Sequence, residues 1–225
     1  MFKEILDLFR KEDLLKQATE EANEMLSKAE FVFRAAMEIV MYCKESNLDI
    51  YEIDQEIDDM ELDVRQKALK HLLLGSKKED VAAAILLTDA VRDIERIGDY
   101  SKSIYELLDI CPTEFIVNDE GLDLLRDIES DILEIFTLTR EANGDGDTEK
   151  AQKVMNMQLE IGKKCDKIFV HMSLKPDLKN VQAVIYVLLS RYLKRISSHI
   201  KNIAANIVNP FRRTDIKNLE GNSPL

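Results

Sequence analysis

Apolar residues recur at intervals of three and four along most of the chain, which is the spacing of one face of a helix. In the first long segment, at about residues 14–44, this stripe consists of Ala18, Ala22, Met25, Ala29, Val32, Ala36 and Ile39. Five similar segments cover about residues 50–74, 79–109, 119–143, 148–174 and 178–208. A smaller apolar face precedes them at Phe2, Ile5, Leu6 and Phe9. The pattern predicts a short N-terminal helix followed by six long helices.

Residues that favour turns are scarce in this sequence. The 225 residues include 7 Gly and 4 Pro, whereas average frequencies are about 7% and 5%. The prolines lie where the apolar periodicity stops, at Pro112, Pro176, Pro210 and Pro224. A β-sandwich or β-barrel needs a turn signal about every 8–12 residues. These classes are therefore excluded, and an all-α fold is predicted.

The second half of the chain repeats the first at an offset of 99 residues. Between residues 92 and 104, five residues are identical at this offset: Arg92/Arg191, Arg96/Arg195, Ile97/Ile196, Lys102/Lys201 and Ile104/Ile203. Helix order and turn positions repeat as well, which indicates two copies of one unit. We predict two tandem antiparallel three-helix bundles. The first repeat, with the N-terminal helix, is placed at residues 1–114, the second at residues 115–208, and a C-terminal tail at residues 209–225.

The chain is strongly acidic, with 43 Asp and Glu against 31 Lys and Arg and a net charge of −12 at pH 7. Binding of nucleic acid requires a basic stripe, so no nucleic-acid partner is expected. The N-terminal segment carries charges through Asp13, and the longest apolar stretch is about half of the length that spans a bilayer. Neither a signal peptide nor membrane insertion is expected. Three widely spaced cysteines suit a reducing compartment, and we expect a cytoplasmic protein.

Acidic residues are concentrated in the second helix, where seven of the twelve residues at positions 52–63 are Asp or Glu. Three of them fall at i, i+4 and i+7 and share a helical stripe, and the third helix has two acids at i and i+4. Each lies one position after an apolar stripe residue, so the two acidic stripes converge on one side of an antiparallel helix pair. The five carboxylates expected in this groove are Asp54, Asp58, Glu61, Glu95 and Asp99.

Carboxylates at close quarters repel one another unless they are protonated or bridged by a cation, and hard cations prefer oxygen ligands. The groove is therefore a candidate metal site, and Gly98 would let the two helix backbones approach there. The same residues also permit a solvated acidic face with intrahelical ion pairs. Arg65 lies four residues after Glu61, and Arg92 and Arg96 lie near Glu95.

Other catalytic or metal-binding motifs are weak. None of His71, His171 or His199 follows Glu at the spacing of a ferritin-like di-iron site, and the acidic helix lacks the glycine of an EF-hand loop. There is no phosphate-cradling Gly-rich loop and no nucleophile elbow. Because no nucleophile, base and orienting group come together, a non-enzymatic protein is expected.

The run from Asp93 to Asp99, late in a three-helix repeat, resembles the PhoU family of phosphate-uptake regulators. The acidic run from Asp54 to Glu61 is similar to the helix that precedes it in that family, and the resemblance extends over about residues 15–208. It implies two three-helix repeats in a cytosolic, non-catalytic protein whose acidic motifs hold metal clusters. It also implies that the protein damps phosphate uptake by a high-affinity transporter and connects this transporter to a membrane sensor kinase.

This sequence departs from the family pattern in both repeats. Arg65 stands where the family completes the acidic motif that begins at Glu61. At the repeat offset, the second half has exchanged four acidic positions for Met157, Gly162, Lys194 and Ser198. The resemblance therefore implies at most one metal site, for Fe, Mg, Mn or Zn, and Arg65 could act there as an internal cation.

Seven bases between positions 191 and 217 give the C-terminal part a charge opposite to that of the middle. Such a face suits an acidic protein partner, a second copy of the chain or a membrane-associated anion. The resulting prediction is a regulatory adaptor on a phosphate transporter ATPase or a sensor kinase, and a homodimer. The alternatives are an accessory subunit of another phosphate or anion transporter and a metal-dependent phosphate-ester hydrolase.

Overall fold

Long helices make up the structure, a computed structural model that describes residues 2–42, 47–74, 77–110, 120–174 and 180–209, with side chains from residue 14 onward. The first half contains α1, α2 and α3, followed by one short 3-10 helix, at Phe2–Tyr42, Ile50–Leu73, Lys78–Tyr105 and Glu106–Ile110. The second half contains α4, α5 and α6 at Glu120–Asp145, Thr148–Ser173 and Asn180–Val208. The described residues form no strand, and the predicted all-α fold is confirmed.

The separate N-terminal helix predicted from the sequence is wrong, because α1 is continuous from Phe2 to Tyr42. The polar interval at Lys11, Glu12 and Asp13 contains no Gly or Pro. Nothing there removes a backbone donor or favours a break in the helical hydrogen bonding. The change of apolar stripe therefore marks a change of helix face and not a helix end.

Several predicted features lie outside the described residues. These are the boundary between residues 114 and 115, two of the cysteines, the prolines and the basic residues of the tail, namely Cys43, Cys111, Pro112, Pro176, Pro210, Pro224, Arg212, Arg213 and Lys217. Within the described ranges, no helix combines the length and the apolar character needed to cross a lipid bilayer.

The second helix of each bundle begins at an Asp that caps it. The Asp49 carboxylate accepts hydrogen bonds from the backbone N–H groups of Tyr51 and Glu52, at 3.1 and 3.0 Å. The Asp147 carboxylate accepts from those of Glu149 and Lys150, at 2.9 and 3.0 Å. Each cap satisfies donors that the first helical turn leaves unpaired. Gly146 precedes the second cap with a φ of 66°, so the turn between α4 and α5 needs the glycine.

Helices α1, α2 and α3 pack as one bundle, and α4, α5 and α6 pack as a second. The bundles meet mainly where α3 contacts α6 and to a smaller extent where α1 contacts α4. At the latter contact the ring centroids of Phe33 and Phe136 are 5.9 Å apart. The buried side chains of both bundles form one continuous core. The predicted tandem arrangement of three-helix bundles is confirmed.

A buried carboxylate also joins the two bundles. Glu30 of α1 is only 7% exposed. It accepts a hydrogen bond from Arg34, at 2.9 Å, and another from Arg140 of α4. A buried charge is tolerated when it is paired and hydrogen-bonded, so this contact fixes the position of α4 against α1.

The surface where α3 packs against α6, called the seam below, runs antiparallel. Asp93 of α3 contacts His199 of α6, while Tyr100, farther along α3, packs against Tyr192, which is earlier in α6. The repeat offset of 99 converts Asp93 into Tyr192 and Tyr100 into His199. Moving each residue to its equivalent in the other repeat therefore turns the contact between Asp93 and His199 into the contact between Tyr192 and Tyr100. This is the property of an approximate two-fold axis, which passes near residues 96 and 195.

Gly98 lies where α3 crosses α2. A Cβ atom there would be 3.2 Å from Ile57 Cδ1, whereas one at Gly162 in α5 would be 3.7 Å from Lys194 Cε. A glycine inside a helix costs about 0.5–1 kcal/mol relative to Ala. We expect Gly162→Ala to raise the free energy of unfolding by about that amount. Gly98→Ala should give a smaller gain or a loss, because Ile57 must move. Urea denaturation measures both, and equal gains would contradict close packing at Gly98.

Candidate functional site

The structure brings the five predicted carboxylates together between α2 and α3. Glu95 of α3 lies close enough to Asp58, Glu61 and Asp99 for their charges to affect its pKa. Asp58 of α2 is affected in the same way by Asp54, Asp99 and Glu61. The carboxylates thus flank the buried faces of the two helices, as the spacing of the sequence predicts. We call this surface the acidic groove.

Lys102, which the acidic spacing did not predict as part of the groove, lies among its carboxylates. Lys102 Nζ donates a hydrogen bond to Asp54 and lies 3.6 Å from Asp99 Oδ1. Burial lowers the pKa of Lys102, but the hydrogen bond and the charges of both carboxylates raise it by more, so the pKa is raised overall. One local signal was available, since Lys102 follows Asp99 by three positions, which are neighbours on a helix.

Two arginines pair with carboxylates of the groove. Arg96 Nη1 lies 2.7 Å from Asp99 Oδ2, and Arg96 Nε lies 3.3 Å from Glu95 Oε2. Arg65 Nη1 lies 3.2 Å from Glu61 Oε1, one helical turn earlier. The intrahelical ion pairs that the sequence permitted are therefore present at Arg65 and Arg96. Arg92 points elsewhere and lines a cavity on the other side of α3.

Negative charge remains in excess despite these cations. Burial raises the pKa of Glu95 to about 7, and the carboxylates of Asp99, Glu61 and Asp58 add to the effect, while Arg96 opposes it. Burial and the neighbouring charges of Asp54 and Asp99 also raise the pKa of Asp58. A raised carboxyl pKa means that the ionised form lacks compensation. Glu95 is therefore the position at which the groove most favours a proton or another cation.

The described residues contain no group of three or more His, Cys, Asp or Glu side chains arranged to hold a metal ion. In this arrangement Lys102 and Arg96 take the carboxylate oxygens that a metal would need. The donor set fits a hard cation in its chemistry but not in its geometry. Metal binding by Asp54, Asp58, Glu61, Glu95 and Asp99 stays a prediction.

The corresponding surface of the second repeat lacks opposed carboxylates. Lys194, in the place of Glu95, forms an ion pair with Asp166 at 2.6 Å. Ser198, in the place of Asp99, accepts a hydrogen bond from Gln158 at 3.4 Å. Glu160, the one acid retained at the repeat offset, pairs with Lys163 at 2.7 Å. The two repeats therefore share a fold and differ in charge.

A second polar cluster lies at the seam. Asp93 is 7% exposed, and its Oδ1 is 2.7 Å from His199 Nδ1 and accepts a hydrogen bond from Asn202 at 3.1 Å. Tyr100 stacks on His199 with ring centroids 5.7 Å apart. Asp93 and His199 are 106 positions apart in the sequence. No local pattern could pair them.

The one cysteine in the described part of the chain is unreactive. Cys165 is fully buried, and burial raises the pKa of its thiol to about 12. The thiolate is the reactive form of cysteine. Cys165 therefore acts as a small buried apolar residue of the core.

Replacement of Glu95 tests the electrostatics of the acidic groove. The pKa of Glu95 in the folded chain, about 7, exceeds its ordinary value of 4.5. Between about pH 4.5 and pH 7, the folded chain therefore binds more protons at Glu95 than the unfolded chain does. The free energy of unfolding consequently falls as the pH rises through this range. We expect Glu95→Gln to flatten this decline and to be more stable than the wild type above pH 7. Urea denaturation across the pH range measures the effect.

Glu160→Gln is the matched control for this experiment. Glu160 is exposed, and its hydrogen bond to Lys163 lowers its pKa, so it titrates below the window in which Glu95 does. We expect the control to keep the decline of the wild type. An unchanged decline in Glu95→Gln, or an equal flattening in Glu160→Gln, would contradict the assignment to the groove.

Known proteins match this chain in both of its helical repeats. The family model of the PhoU domain matches residues 22–108 and again residues 125–207. The crystal structure of the phosphate transport system regulatory protein PhoU from Streptococcus pneumoniae has a similar fold, with a TM-score of 0.70 at 16% identity, over 93% of this chain and 97% of that chain. PhoU from Pseudomonas aeruginosa gives a TM-score of 0.69 at 19% identity, over 93% and 99%. No curated protein matches the chain. Because the family model covers most of both repeats, the chain belongs to the PhoU family.

Proposed function

We propose that this chain is a non-enzymatic regulator of phosphate uptake and phosphate signalling that acts by protein contact. Its membership of the PhoU family, matched in both repeats, carries the proposal and implies a phosphate-uptake regulator. The partner that we propose is a phosphate transporter ATPase, a sensor kinase, or both. The structure from Streptococcus pneumoniae, similar in fold, is that of a phosphate transport system regulatory protein.

The side chains of the two polar sites support a role in binding over a role in catalysis. In the acidic groove, Lys102, Arg96 and Arg65 pair with the carboxylates, so these carboxylates are engaged in ion pairs. Cys165 is buried and protonated at neutral pH. A hydrolase that uses the groove as its metal bed would need a general base as well. Among the described residues of the groove, Glu95 is the candidate for that base. Burial and the neighbouring charges already explain its raised pKa, so this shift does not require a catalytic role.

The adaptor role is tested by capture and by phosphate uptake. The tagged full chain, isolated from its own host cells, should retain a phosphate transporter ATPase or a sensor kinase. Deletion of the chain should raise phosphate uptake in phosphate-rich medium, since a damping contact is lost. Retention of a different anion transporter, with unchanged phosphate uptake, would favour the accessory-subunit alternative. Turnover of a phosphate ester that disappears in Glu95→Ala would favour the hydrolase.

We propose that the acidic groove holds at most one metal ion, and that this ion competes with Lys102. Carboxylate oxygens suit Mg²⁺ and Mn²⁺, and Fe and Zn remain candidates. The hydrogen bond of Lys102 to Asp54 and its proximity to Asp99 must be given up when a metal binds. The ion would be held by Glu95 and Asp99 of α3 with the acids of α2.

Lys102→Gln tests this competition. A hydrogen bond to a charged group contributes about 1.5–3 kcal/mol, so its removal should raise the affinity for Mn²⁺ by about tenfold or more. The matched control is Lys201→Gln, the same change at the corresponding position of the second repeat, which should leave the affinity unchanged. Titration calorimetry measures both variants. Equal affinities in Lys102→Gln and the wild type, or failure of Glu95→Ala to weaken binding, would contradict the metal site.

We also propose the homodimer as the assembly of the chain. Its mass in solution, measured by light scattering, decides between one copy and two.

A further inference from the structure

An open cavity of about 470 Å³ lies at the seam, on the side of α3 that faces α6. Three arginines line it: Arg92 and Arg96 from α3 and Arg195 from α6. Arg96 and Arg195 are repeat equivalents, and the antiparallel seam brings them to the same place near its two-fold axis. The cationic lining is thus a product of the packing between the repeats, since neither bundle alone supplies it.

The wall of this seam cavity is held in place by a partly buried hydrogen-bond network. Asp93 accepts from Asn202 and lies 2.7 Å from His199 Nδ1. Tyr100 stacks on His199 and packs against Tyr192. Asp93, His199, Asn202 and Tyr100 all line the cavity. This network fixes the shape of the cavity wall, whereas the three arginines are exposed side chains at its mouth.

Positive charge in the seam cavity is only partly compensated. Arg92 and Arg195 form no ion pair with any residue that the structure describes, while Arg96 pairs with Asp99 and Glu95 of the acidic groove. Two carboxylates, those of Asp89 and Asp93, also line the cavity. The carboxylate of Asp93 is engaged by His199 and Asn202. Three guanidinium groups against two carboxylates give the lining itself an excess of one positive charge, in a chain whose net charge is −12. Arg96 shares its charge with the acidic groove, so Arg92 and Arg195 are the arginines fully available to a ligand.

We propose that the seam cavity binds a multiply charged phosphoryl oxyanion, either inorganic phosphate or the phosphoryl group of a small metabolite. A planar guanidinium matches two oxygens of such a group with two parallel N–H donors, and these charge-assisted bonds are about twice as strong as neutral ones. Arginines from both repeats would bind one anion, so the ligand joins α3 to α6. The site lies on the other side of α3 from the acidic groove, shares Arg96 with it, and does not depend on the adaptor role.

Arg96 connects the two sites. Its guanidinium contacts Asp99 and Glu95 and also lines the seam cavity. An anion in the cavity competes for this side chain with the carboxylates of the groove. Occupation of the cavity therefore weakens the ion pairs that Arg96 forms with Asp99 and Glu95.

The test is calorimetric titration of the full chain with inorganic phosphate, pyrophosphate and glucose 6-phosphate. We expect Arg195→Gln and Arg92→Gln each to weaken the binding of phosphoryl groups by about tenfold or more. The matched control is Arg191→Gln, the repeat counterpart of Arg92, because Arg191 is exposed on α6 and is not part of the lining. This control should bind as the wild type does. Circular dichroism verifies that each variant is folded.

The pattern across the probes identifies the source of the phosphoryl group. Tightest binding of inorganic phosphate assigns the site to the free ion, and tightest binding of glucose 6-phosphate assigns it to a phosphorylated metabolite. Asp89→Asn removes the lining carboxylate that has no hydrogen-bonded role in the wall, and should tighten binding severalfold. Absence of binding by all three probes at millimolar concentration overturns the proposal. Equal weakening by Arg191→Gln and Arg195→Gln overturns it as well, since binding then follows overall charge.

Discussion

Antiparallel packing of α3 against α6 determines where the polar chemistry of this molecule lies. Asp93 meets His199 and Tyr100 meets Tyr192 along this contact, and the repeat offset of 99 turns one pair into the other. The two bundles are thereby related by an approximate two-fold axis. α3 also packs against α1 and α2, and its carboxylates Glu95 and Asp99 lie on the side of α2. The seam cavity and the acidic groove follow from this one arrangement.

The two sites have opposite charge and share a helix. Glu95 and Asp99 point to the acidic groove, whereas Arg92 and Asp93 line the seam cavity. Arg96 belongs to both, since it pairs with Asp99 and lines the cavity. Side chains at neighbouring positions of a helix point to different sides, while the helix backbone holds their Cα atoms at fixed distances. Any ligand that moves Arg96 therefore changes the electrostatics on the opposite side of α3.

The two repeats have kept their backbone arrangement and diverged in charge. A cluster of carboxylates opposes folding at neutral pH, and burial makes this worse, as the raised pKa of Glu95 shows. The second repeat avoids the penalty because Lys194 replaces the acid and pairs with Asp166. The first repeat retains the penalty and limits it with Lys102 and Arg96. Retained electrostatic strain of this kind is a feature of functional sites.

Local spacing in the sequence determined the helices, their order and the convergence of the acidic stripes, because a helix has a fixed period and short turns force neighbours together. The same spacing led to one wrong helix end, between the predicted N-terminal helix and the first long helix. The polar residues 11–13 separate two apolar stripes there, but they contain no Gly or Pro to end the helix. Tertiary structure alone decided that Lys102 reaches Asp54, 48 positions away, and that His199 reaches Asp93, 106 positions away. Such contacts depend on the register and angle at which distant helices pack, and those are set by the shapes of buried side chains across the whole core.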